Sequence, residues 1–151
     1  MSNVLFSSMN ISAAGMAAQR ARLDVVAENI ANAESTRTAE GGPYRRRQVV
    51  FQAIPTAGKT SFGSVFQSTM SSQGTYQSVK VAKTIEDQTP FREVYDPSHP
   101  DADAKGMVKM PNVSTVKEMV DMNSAARGFE SNVTVMEASK RMFLKSLELL
   151  R

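Results

Sequence analysis

The chain of 151 residues contains no cysteine and only one histidine. A disulfide framework and a thiolate metal site are therefore excluded. No paired histidines, glycine-rich phosphate loop or nucleophile elbow appears in the sequence. His99 lies close to Asp96, Asp101 and Asp103 between prolines, and an acidic surface loop explains this stretch better than a metal site. We expect neither an enzyme, nor a cofactor, nor a small-molecule substrate.

Long apolar runs are also missing, because no segment approaches the roughly 18 apolar residues of a membrane span. No basic residue precedes Arg20, and no long apolar core precedes a cleavage site. We therefore predict a chain that is not inserted in a membrane and that has no cleaved signal peptide. With 41% hydrophobic and 22% charged residues, the composition is that of a folded chain.

The net charge of +3 is unevenly distributed. Residues 37–59 hold five basic residues and one acidic residue, so they carry +4 and the rest of the chain carries −1. A nucleic-acid binder usually spreads basic residues along a face and adds aromatic readers. One short cluster is weak support for a polyanion, and we predict no nucleic-acid partner.

The C-terminal part has apolar residues at alternating steps of three and four, which is the pattern of a coiled coil. They are Met119, Met122, Ala126, Phe129, Val133, Met136, Phe143, Leu147 and Leu150, with Lys140 interrupting the row. Lys140 either specifies register or lies at the edge of the seam with its charge in water. A helix from about Thr115 to Leu150 would be about 54 Å long, which no chain of this size buries along a whole face. The stripe is therefore expected to pack on the N-terminal helix, on other subunits, or on both.

The N-terminal part predicts a second helix, over residues 3–34, with Met9, Met16, Leu23 and Ile30 at steps of seven. Gly15 interrupts it. Either a neighbouring helix approaches closely at Gly15, or the glycine is a tolerated weakness of roughly 1 kcal/mol.

Between the helices, extended patterns predict strands at residues 44–54, 79–85, 91–95 and 107–110. Residues 57–76, rich in Ser, Thr, Gly and Gln, are predicted to be an insertion. The fold class is α+β, mainly α, with helices packed as a coiled coil around a small β-rich module. The predicted division is 1–36, 37–111 and 112–151. Thr115 and Glu118 fit a capping box at the start of the last helix, and Asn112 is another candidate cap.

Three consecutive arginines, Arg45, Arg46 and Arg47, stand out in the basic segment. In an extended segment Arg45 and Arg47 share one face while Arg46 points to the other. They are interpreted either as bidentate partners of carboxylates on a neighbouring subunit, or as a solvated edge that discourages strand pairing.

A motif at the end of the first predicted helix resembles the N-terminal signature of the bacterial flagellar axial proteins, the rod and hook family. It consists of Asn29, Ile30, Ala31, Asn32 and Ala33, with Thr36 just beyond. The asparagines can bond backbone at the helix end or across a packed seam. Residues 41–51, 95–102 and 106–113 resemble a rod protein of that family, although Met107 and Phe129 stand where tyrosine is usual.

The resemblance implies a subunit of the proximal rod of the flagellar basal body, which crosses the periplasm, transmits torque and surrounds the export channel. Its implied partners are other rod proteins, copies of itself and the flagellar type III export apparatus. The expected assembly residues are Leu23, Asn29, Ile30, Ala31, Asn32, Thr36, Tyr44, Arg45, Arg46, Arg47, Met122, Phe129, Val133, Met136, Phe143 and Leu147. The alternative is a free coiled-coil binding or regulatory module that uses Arg45, Arg46 and Arg47 as a contact segment.

Overall fold

A computed structural model describes residues 2–39, 41–55 and 77–148 of the chain. The elements are helix α1 (Ser2–Ala31), strands β1 (Arg47–Pro55), β2 (Gln77–Glu86), β3 (Arg92–Tyr95) and β4 (Met107–Met110), and helix α2 (Thr115–Glu148). The fold is α+β, as predicted, with a long helix toward each end of the sequence and four strands between. The insertion predicted at residues 57–76 falls outside the described residues.

Helix α1 ends three residues before the predicted position. The Asn32 side chain donates to the Glu28 carbonyl at 2.9 Å and accepts from the Ser35 hydroxyl at 3.1 Å. The backbone then turns, because the Ala33 amide bonds to the Ile30 carbonyl three residues back. An asparagine that satisfies the last carbonyls of a helix favours its termination there.

Strand β1 begins at Arg47, three residues later than predicted. The preceding backbone bonds to other partners. The Tyr44 amide donates to the Ser35 carbonyl, and the Arg46 amide donates to the Asn112 side chain at 2.8 Å. Because these amides are already bonded, the segment before Arg47 is held in place without belonging to the sheet.

Helix α2 begins at Thr115, as predicted, but the capping box is wrong. The Glu118 carboxylate does not turn back to the helix end; it bonds to Asn29 and Arg46. Asn112 does not cap the helix either, since its carboxamide bonds to Arg46, Asp87 and Thr89. The predicted end at Leu150 lies outside the described residues.

Strands β3 and β4 form an antiparallel pair in which Val94 lies opposite Val108 and Tyr95 opposite Met107. Their connection turns at Gly106, whose φ of +75° is a conformation that side-chain-bearing residues rarely adopt. A Cβ on Gly106 would also lie 3.0 Å from the Tyr95 ring. Strands β1 and β2 form a separate two-stranded sheet.

The chain forms two compact units. The first contains the described parts of Met1–Gln19, Phe51–Ala82 and Arg127–Arg151, and the second contains Arg20–Val50 and Lys83–Ala126. The second unit has a mixed core of apolar and polar side chains. Its buried residues are Val26, Asn29, Ala33, Tyr44, Val108, Pro111, Glu118 and Ala125. The division into 1–36, 37–111 and 112–151 stays a prediction.

In the first unit, α1 and α2 meet in antiparallel orientation through small and polar side chains. Ser8 and Ser139 share a hydrogen bond of 3.0 Å, and a Cβ on Gly15 would lie 2.9 Å from the Asn132 carboxamide oxygen. Phe6 and Phe143 add a tilted ring contact with centroids 5.5 Å apart. Of the two readings of Gly15, close approach of a helix is therefore correct.

We expect Gly15→Val to lower the free energy of unfolding by roughly 1–3 kcal/mol, because the added atoms overpack the contact with Asn132. The Asn132 amide also donates to the Gly128 carbonyl at 2.8 Å, so it cannot move away without losing that bond. Thermal unfolding followed by circular dichroism measures the effect. The control is Ala13→Val at an exposed position of α1. Equal losses in the two variants would contradict close packing at Gly15.

Candidate functional site

The centre of the second unit is a buried polar cluster around Asn29, which is 1% exposed. Its amide donates to the Arg47 carbonyl at 2.8 Å and to Glu118 Oε2 at 3.0 Å. Its oxygen accepts from the Arg47 amide at 2.9 Å and from the Tyr44 hydroxyl at 3.0 Å. All four hydrogen-bonding positions of the carboxamide are thus used. We call Asn29, Tyr44, Arg46, Arg47 and Glu118 the Asn29 cluster.

Glu118 brings α2 into the cluster with a fully buried side chain. While Oε2 accepts from Asn29, Oε1 accepts from Arg46 Nε at 2.6 Å. A buried carboxylate is tolerated only where charged and polar donors replace water. This chain supplies both, so α1, the start of β1 and α2 are joined at one point.

Arg46 is the cation of the cluster, and its side chain is 20% exposed. Besides Glu118, its guanidinium faces Asp87 Oδ2 at 3.6 Å and Asp121 Oδ2 at 3.5 Å. Burial works to lower the pKa of Arg46, but the hydrogen bond and charge of Glu118, helped by the two aspartates, raise it. Asp121 is also bonded to Arg22 at 2.8 Å.

Asn112 and Asp87 hold the backbone of Arg46. Asn112 Oδ1 accepts from the Arg46 amide at 2.8 Å, and the Asp87 amide donates to the Arg46 carbonyl at 2.8 Å. The Asn112 amide also donates to the Asp87 carbonyl at 3.1 Å. The hydroxyl and amide of Thr89 both bond to the Asp87 carboxylate and lower its pKa.

Arg47 and Tyr44 complete the cluster next to α1. The Arg47 guanidinium pairs with Glu28 at 2.7 Å and lies 5.9 Å from the centre of the Tyr44 ring. Burial, followed by the charge of Glu28, raises the pKa of Tyr44. The phenol therefore keeps its proton and donates to Asn29.

The three arginines have partners within the chain, and their contact with carboxylates of a neighbouring subunit stays a prediction. Arg46 and Arg47 bond to carboxylates of this chain, where the sequence suggested carboxylates of a neighbour or a solvated edge. Arg45 lies 4.4 Å from the centre of the Phe91 ring and donates to the Asp87 carbonyl. Arg45 and Arg46 precede strand β1. The alternation of side chains along a strand therefore does not apply to them, and the three arginine side chains take different directions.

Residues 29–33 and Thr36 form the motif seen in the sequence, and we call it the Asn29 motif. Its other residues lie around the end of α1. Asn32 closes the helix, and the Thr36 hydroxyl donates to Asp101 at 2.8 Å. Ile30 is half-buried, while Ala31 is exposed. Both roles expected of the asparagines occur, since Asn32 bonds backbone at the helix end and Asn29 bonds across a packed seam.

The apolar stripe of α2 is only partly covered. Its half-buried members are Met122, Ala126, Phe129, Val133, Met136 and Phe143. Met119 is 59% exposed and Leu147 is 48% exposed, and Lys140 also faces solvent. Leu23 on α1 is half-buried. Because the fully buried positions of α2 are Glu118, Ala125 and Ser139, the apolar stripe lies beside the intrachain contact and not at its centre.

The sequence prediction assigned Glu118 and Asn112 to capping of α2 and not to the cluster, and it gave Asp87 and Asp121 no role. One signal was available, because Glu118, Ala125, Asn132 and Ser139 are spaced by seven, like Ser8, Gly15, Arg22 and Asn29. Such rows of small or polar residues mark a helix contact as clearly as apolar rows. Their partners are far apart in sequence, since Glu118 lies 89 positions after Asn29.

The side chains around His99 form local hydrogen bonds within a turn. Asp96 accepts from the amide and hydroxyl of Ser98, which lowers the pKa of Asp96, and His99 Nδ1 accepts from the Asp101 amide. Within residues 2–39, 41–55 and 77–148, no group of three His, Asp or Glu side chains is placed to hold a metal ion. None of the described helices is long and apolar enough to cross a membrane.

Comparison with known proteins explains why the contacts of the Asn29 cluster are structural. Residues 9–37 match the family model for the flagella basal body rod protein, and residues 104–149 match that for the C-terminal part of the flagellar basal body rod FlgEFG proteins. The flagellar basal-body rod protein FlgC of Bacillus subtilis is 47% identical over 95% of this chain and 97% of its own length. The chain belongs to the FlgC family. FlgC of Borreliella burgdorferi is 44% identical over 97% of this chain and 98% of the relative, and FlgC of Salmonella typhimurium 43% over 96% and 97%.

The FlgC family consists of structural proteins of the basal-body rod and not of enzymes. The resemblance seen in the sequence is therefore correct. The first family match covers α1 from Met9 onward and the motif that supplies Asn29, Asn32 and Thr36. The second covers β4 and α2, including Glu118.

Glu118→Gln tests the charge in the Asn29 cluster. We expect a loss of about 3 kcal/mol in the free energy of unfolding, the lower end of the range for breaking a buried ion pair. The lower end applies because Arg46 keeps Asp87 and Asp121 within 3.6 Å. Urea unfolding measures the change, and Glu137→Gln on the exposed side of α2 is the control. A loss as small as that of the control would mean that the pair is dispensable.

Removal of the Thr89 hydroxyl should raise the pKa of Asp87 toward its ordinary value, since that hydroxyl is the largest cause of the lowered value. Because its pKa is lower in the folded chain, Asp87 stabilises the fold above the unfolded pKa of about 4. That contribution is lost as the pH falls through the folded pKa. Carboxyl NMR titration of Thr89→Val is the measurement, with exposed Thr134→Val as the control. An unchanged Asp87 pKa in Thr89→Val would exclude this cause.

Proposed function

We propose that this chain is a structural subunit of the proximal rod of the bacterial flagellar basal body. In this role it forms part of the drive shaft that transmits torque and surrounds the export channel. The single observation that carries the proposal is the near-full-length similarity to FlgC proteins. The hydrogen bonds and ion pairs that join the helices to each other and to the β-rich part also support the proposal.

The proposal includes coiled-coil packing of α1 with α2. Seven-residue spacing and antiparallel contacts support this packing in each unit considered separately. In the first unit the contacts are Ser8 with Ser139 and Gly15 with Asn132, and in the second they are Arg22 with Asp121 and Asn29 with Glu118. Contacts between two helices that recur every seven residues are typical of a supercoiled helix pair.

Torque transmission requires that the helices and the β-rich part move together. The Asn29 cluster provides such a connection in the second unit, because one carboxamide bonds α1 to both backbone groups of Arg47 and to α2. Three acidic side chains around one guanidinium reinforce it. Directional bonds of this kind resist sliding more than apolar contacts do, since their energy depends on angle.

The proposed partners are other rod proteins, further copies of this chain and the flagellar type III export apparatus. Export is proposed to occur without a cleaved signal peptide, to a rod that crosses the periplasm. Exposed apolar residues on α2, such as Met119 and Leu147, support further helix contacts after assembly. The alternative of a free module with a basic contact segment loses support, because Arg45, Arg46 and Arg47 already have partners in the chain.

Mass spectrometry and imaging of isolated basal bodies test the proposal. The chain should be found in the rod at its cytoplasm-proximal end, and absence from purified basal bodies would refute the proposal. Salt-sensitive binding of the purified chain to nucleic acid would instead favour the alternative module.

Phe143→Ala should reduce motility by preventing assembly, because it removes the ring contact with Phe6 and a member of the α2 stripe. Loss of a large aromatic side chain from a packed site costs roughly 3–5 kcal/mol, and the half-buried Phe143 should lose less. Swarming on soft agar and the yield of basal bodies measure the result. Lys140→Ala, at an exposed position of the same helix, is the control. Normal assembly of Phe143→Ala combined with Asn32→Ala would show that the assembly surface lies elsewhere.

A further inference from the structure

Strand β3 is exposed along its whole length. All residues of Arg92–Tyr95 are open to solvent, with Val94 38% and Tyr95 69% exposed. On one side β3 pairs with β4, and within the described residues no strand pairs with its other side. A two-stranded sheet is only marginally stable by itself, and a free strand edge is a template for pairing with another chain. We call the free side of β3 the β3 edge.

The hydrogen bonds at the end of this strand pair show which backbone groups lie on the β3 edge. The Asp96 amide donates to the Gly106 carbonyl at 2.9 Å, one step beyond the last residue pair of the two strands. Hydrogen-bonded and non-hydrogen-bonded residue pairs alternate along antiparallel strands. The N–H and C=O groups of Glu93 and Tyr95 therefore turn away from β4 and lie on the β3 edge.

The outer edges of β3 and β4 differ. At Met107 the outer edge of β4 is closed, because the Met107 amide donates to the Asp103 carboxylate and its carbonyl accepts from the Asp103 amide, both at 3.0 Å. On the β3 edge, the backbone groups of Glu93 and Tyr95 bond to nothing in the part of the chain that the structure describes. Backbone groups without a partner favour the addition of a strand.

We propose that the β3 edge binds the β3 edge of a second copy, in antiparallel orientation about a two-fold axis at Val94. Glu93 of each copy then lies opposite Tyr95 of the other, and each of these residue pairs exchanges two backbone hydrogen bonds. The product is one sheet in the order β4, β3, β3, β4. Such a contact is isologous, because both copies use the same surface.

The side chains on one face of β3 are complementary to themselves about this axis. Arg92, Val94 and Asp96 share that face, since side chains alternate along a strand. The valines of the two copies meet at a non-hydrogen-bonded position, where side chains are closest. Val94 also lies opposite Val108 of its own chain, which is 2% exposed, so the added strand extends an apolar row.

The charges at the ends of this row also match. With the axis at Val94, Arg92 of each copy lies opposite Asp96 of the other, which gives one ion pair on each side of the axis. Within residues 2–39, 41–55 and 77–148, neither Arg92 nor Asp96 belongs to an ion pair. Ser98 bonds to Oδ1 of Asp96 only, so Oδ2 is left for the arginine.

The residues of β3 select this register over its neighbours. A shift of one residue places outward groups against inward groups and loses the hydrogen bonds. An axis at Glu93 would place two carboxylates directly opposite each other, which is destabilising. An axis at Tyr95 would place Glu93 opposite Pro97, which has no N–H to donate.

The pair of copies goes beyond the proposed function, because it concerns the chain before assembly. Strands of 4 residues bury less than the roughly 1,000 Å² of a stable interface, so we expect weak, reversible pairing. A two-fold pair points its copies in opposite directions and closes on itself, whereas the subunits of a rod with two different ends all point the same way. Before assembly, pairing covers a strand edge that is otherwise prone to aggregation.

Cysteine cross-linking of the purified full-length chain tests both the pairing and its register, because the chain has no cysteine of its own. The variants are Val94→Cys, Glu93→Cys and Tyr95→Cys, all at exposed positions of β3. Position 94 lies opposite itself, at a Cα distance of about 4.5 Å that a disulfide spans. Two copies of position 93, or of position 95, lie diagonally at about 7–8 Å, which is too far.

Under mild oxidation we expect Val94→Cys to form disulfide dimers at least about tenfold faster than either of the other variants alone, because pairing raises the effective concentration of its thiols. A mixture of Glu93→Cys and Tyr95→Cys should form the mixed dimer faster than either variant forms its own. The reason is that these two positions lie opposite each other, at a Cα distance of about 5.5 Å.

Charge exchange in the Val94→Cys background tests the ion pairs. Arg92→Glu and Asp96→Arg should each slow the disulfide, because each variant places like charges opposite each other. A mixture of the two should restore the rate for the mixed dimer, which damage to folding would not allow. Lys83→Glu at an exposed position of β2 is the control for the change in net charge.

The outcomes separate this pairing from the rod function. Equal rates for all three cysteine variants would mean random collision and would refute the pairing. Glu93→Cys and Tyr95→Cys dimers as fast as the Val94→Cys dimer, with a slower mixed dimer, would indicate parallel strands and would refute the two-fold axis. Either result leaves the rod function to be decided by the presence of the chain in basal bodies.

Discussion

The second unit depends on the position of one carboxamide. Asn29 is buried, and its two donors and two acceptor sites contact β1, Tyr44 and α2 with bonds between 2.8 and 3.0 Å. An aspartate at this position would lack both donors and would face the Glu118 carboxylate. A glutamine would displace the carboxamide by one methylene. Asparagine is therefore specified by the geometry, because an unsatisfied buried partner costs about 1–3 kcal/mol.

The Glu118–Arg46 pair follows from the same constraint. Removing a carboxylate and a guanidinium from water is expensive, so an apolar pair of the same size could give equal or greater stability. What the ions add is direction, because Arg46 is held at once by its side chain and by both of its backbone groups. We interpret the pair as fixing where the β-rich part joins the helices, a role that apolar side chains perform poorly because their packing has little angular preference.

Helical and strand periods were enough to predict both helices and four strands, since each depends on residues close in sequence. The strand and helix ends were less predictable. Arg46 looks like part of a strand until Asn112, far along the chain, takes its amide. Glu118 fits a cap until Asn29 is known to lie beside it. The Asn29 motif was recognised by resemblance, yet its four bonds depend on partners that local pattern does not reveal.

The central face of the helix contact was also misjudged, for a physical reason. Apolar residues were expected to mark the centre of the seam, but Ser12 and Ser139 are buried in the first unit and Asn29 and Glu118 in the second, beside Ala18, Val26 and Ala125. Small and polar side chains let the helices approach closely and fix their register by directional bonds. This arrangement leaves part of the apolar surface of α2 exposed. Since burial of apolar surface is non-directional and is strongest where large areas meet, the exposed part is suited to contacts between subunits. We therefore propose that polar bonds define the fold of each chain and that apolar contacts provide the energy of assembly.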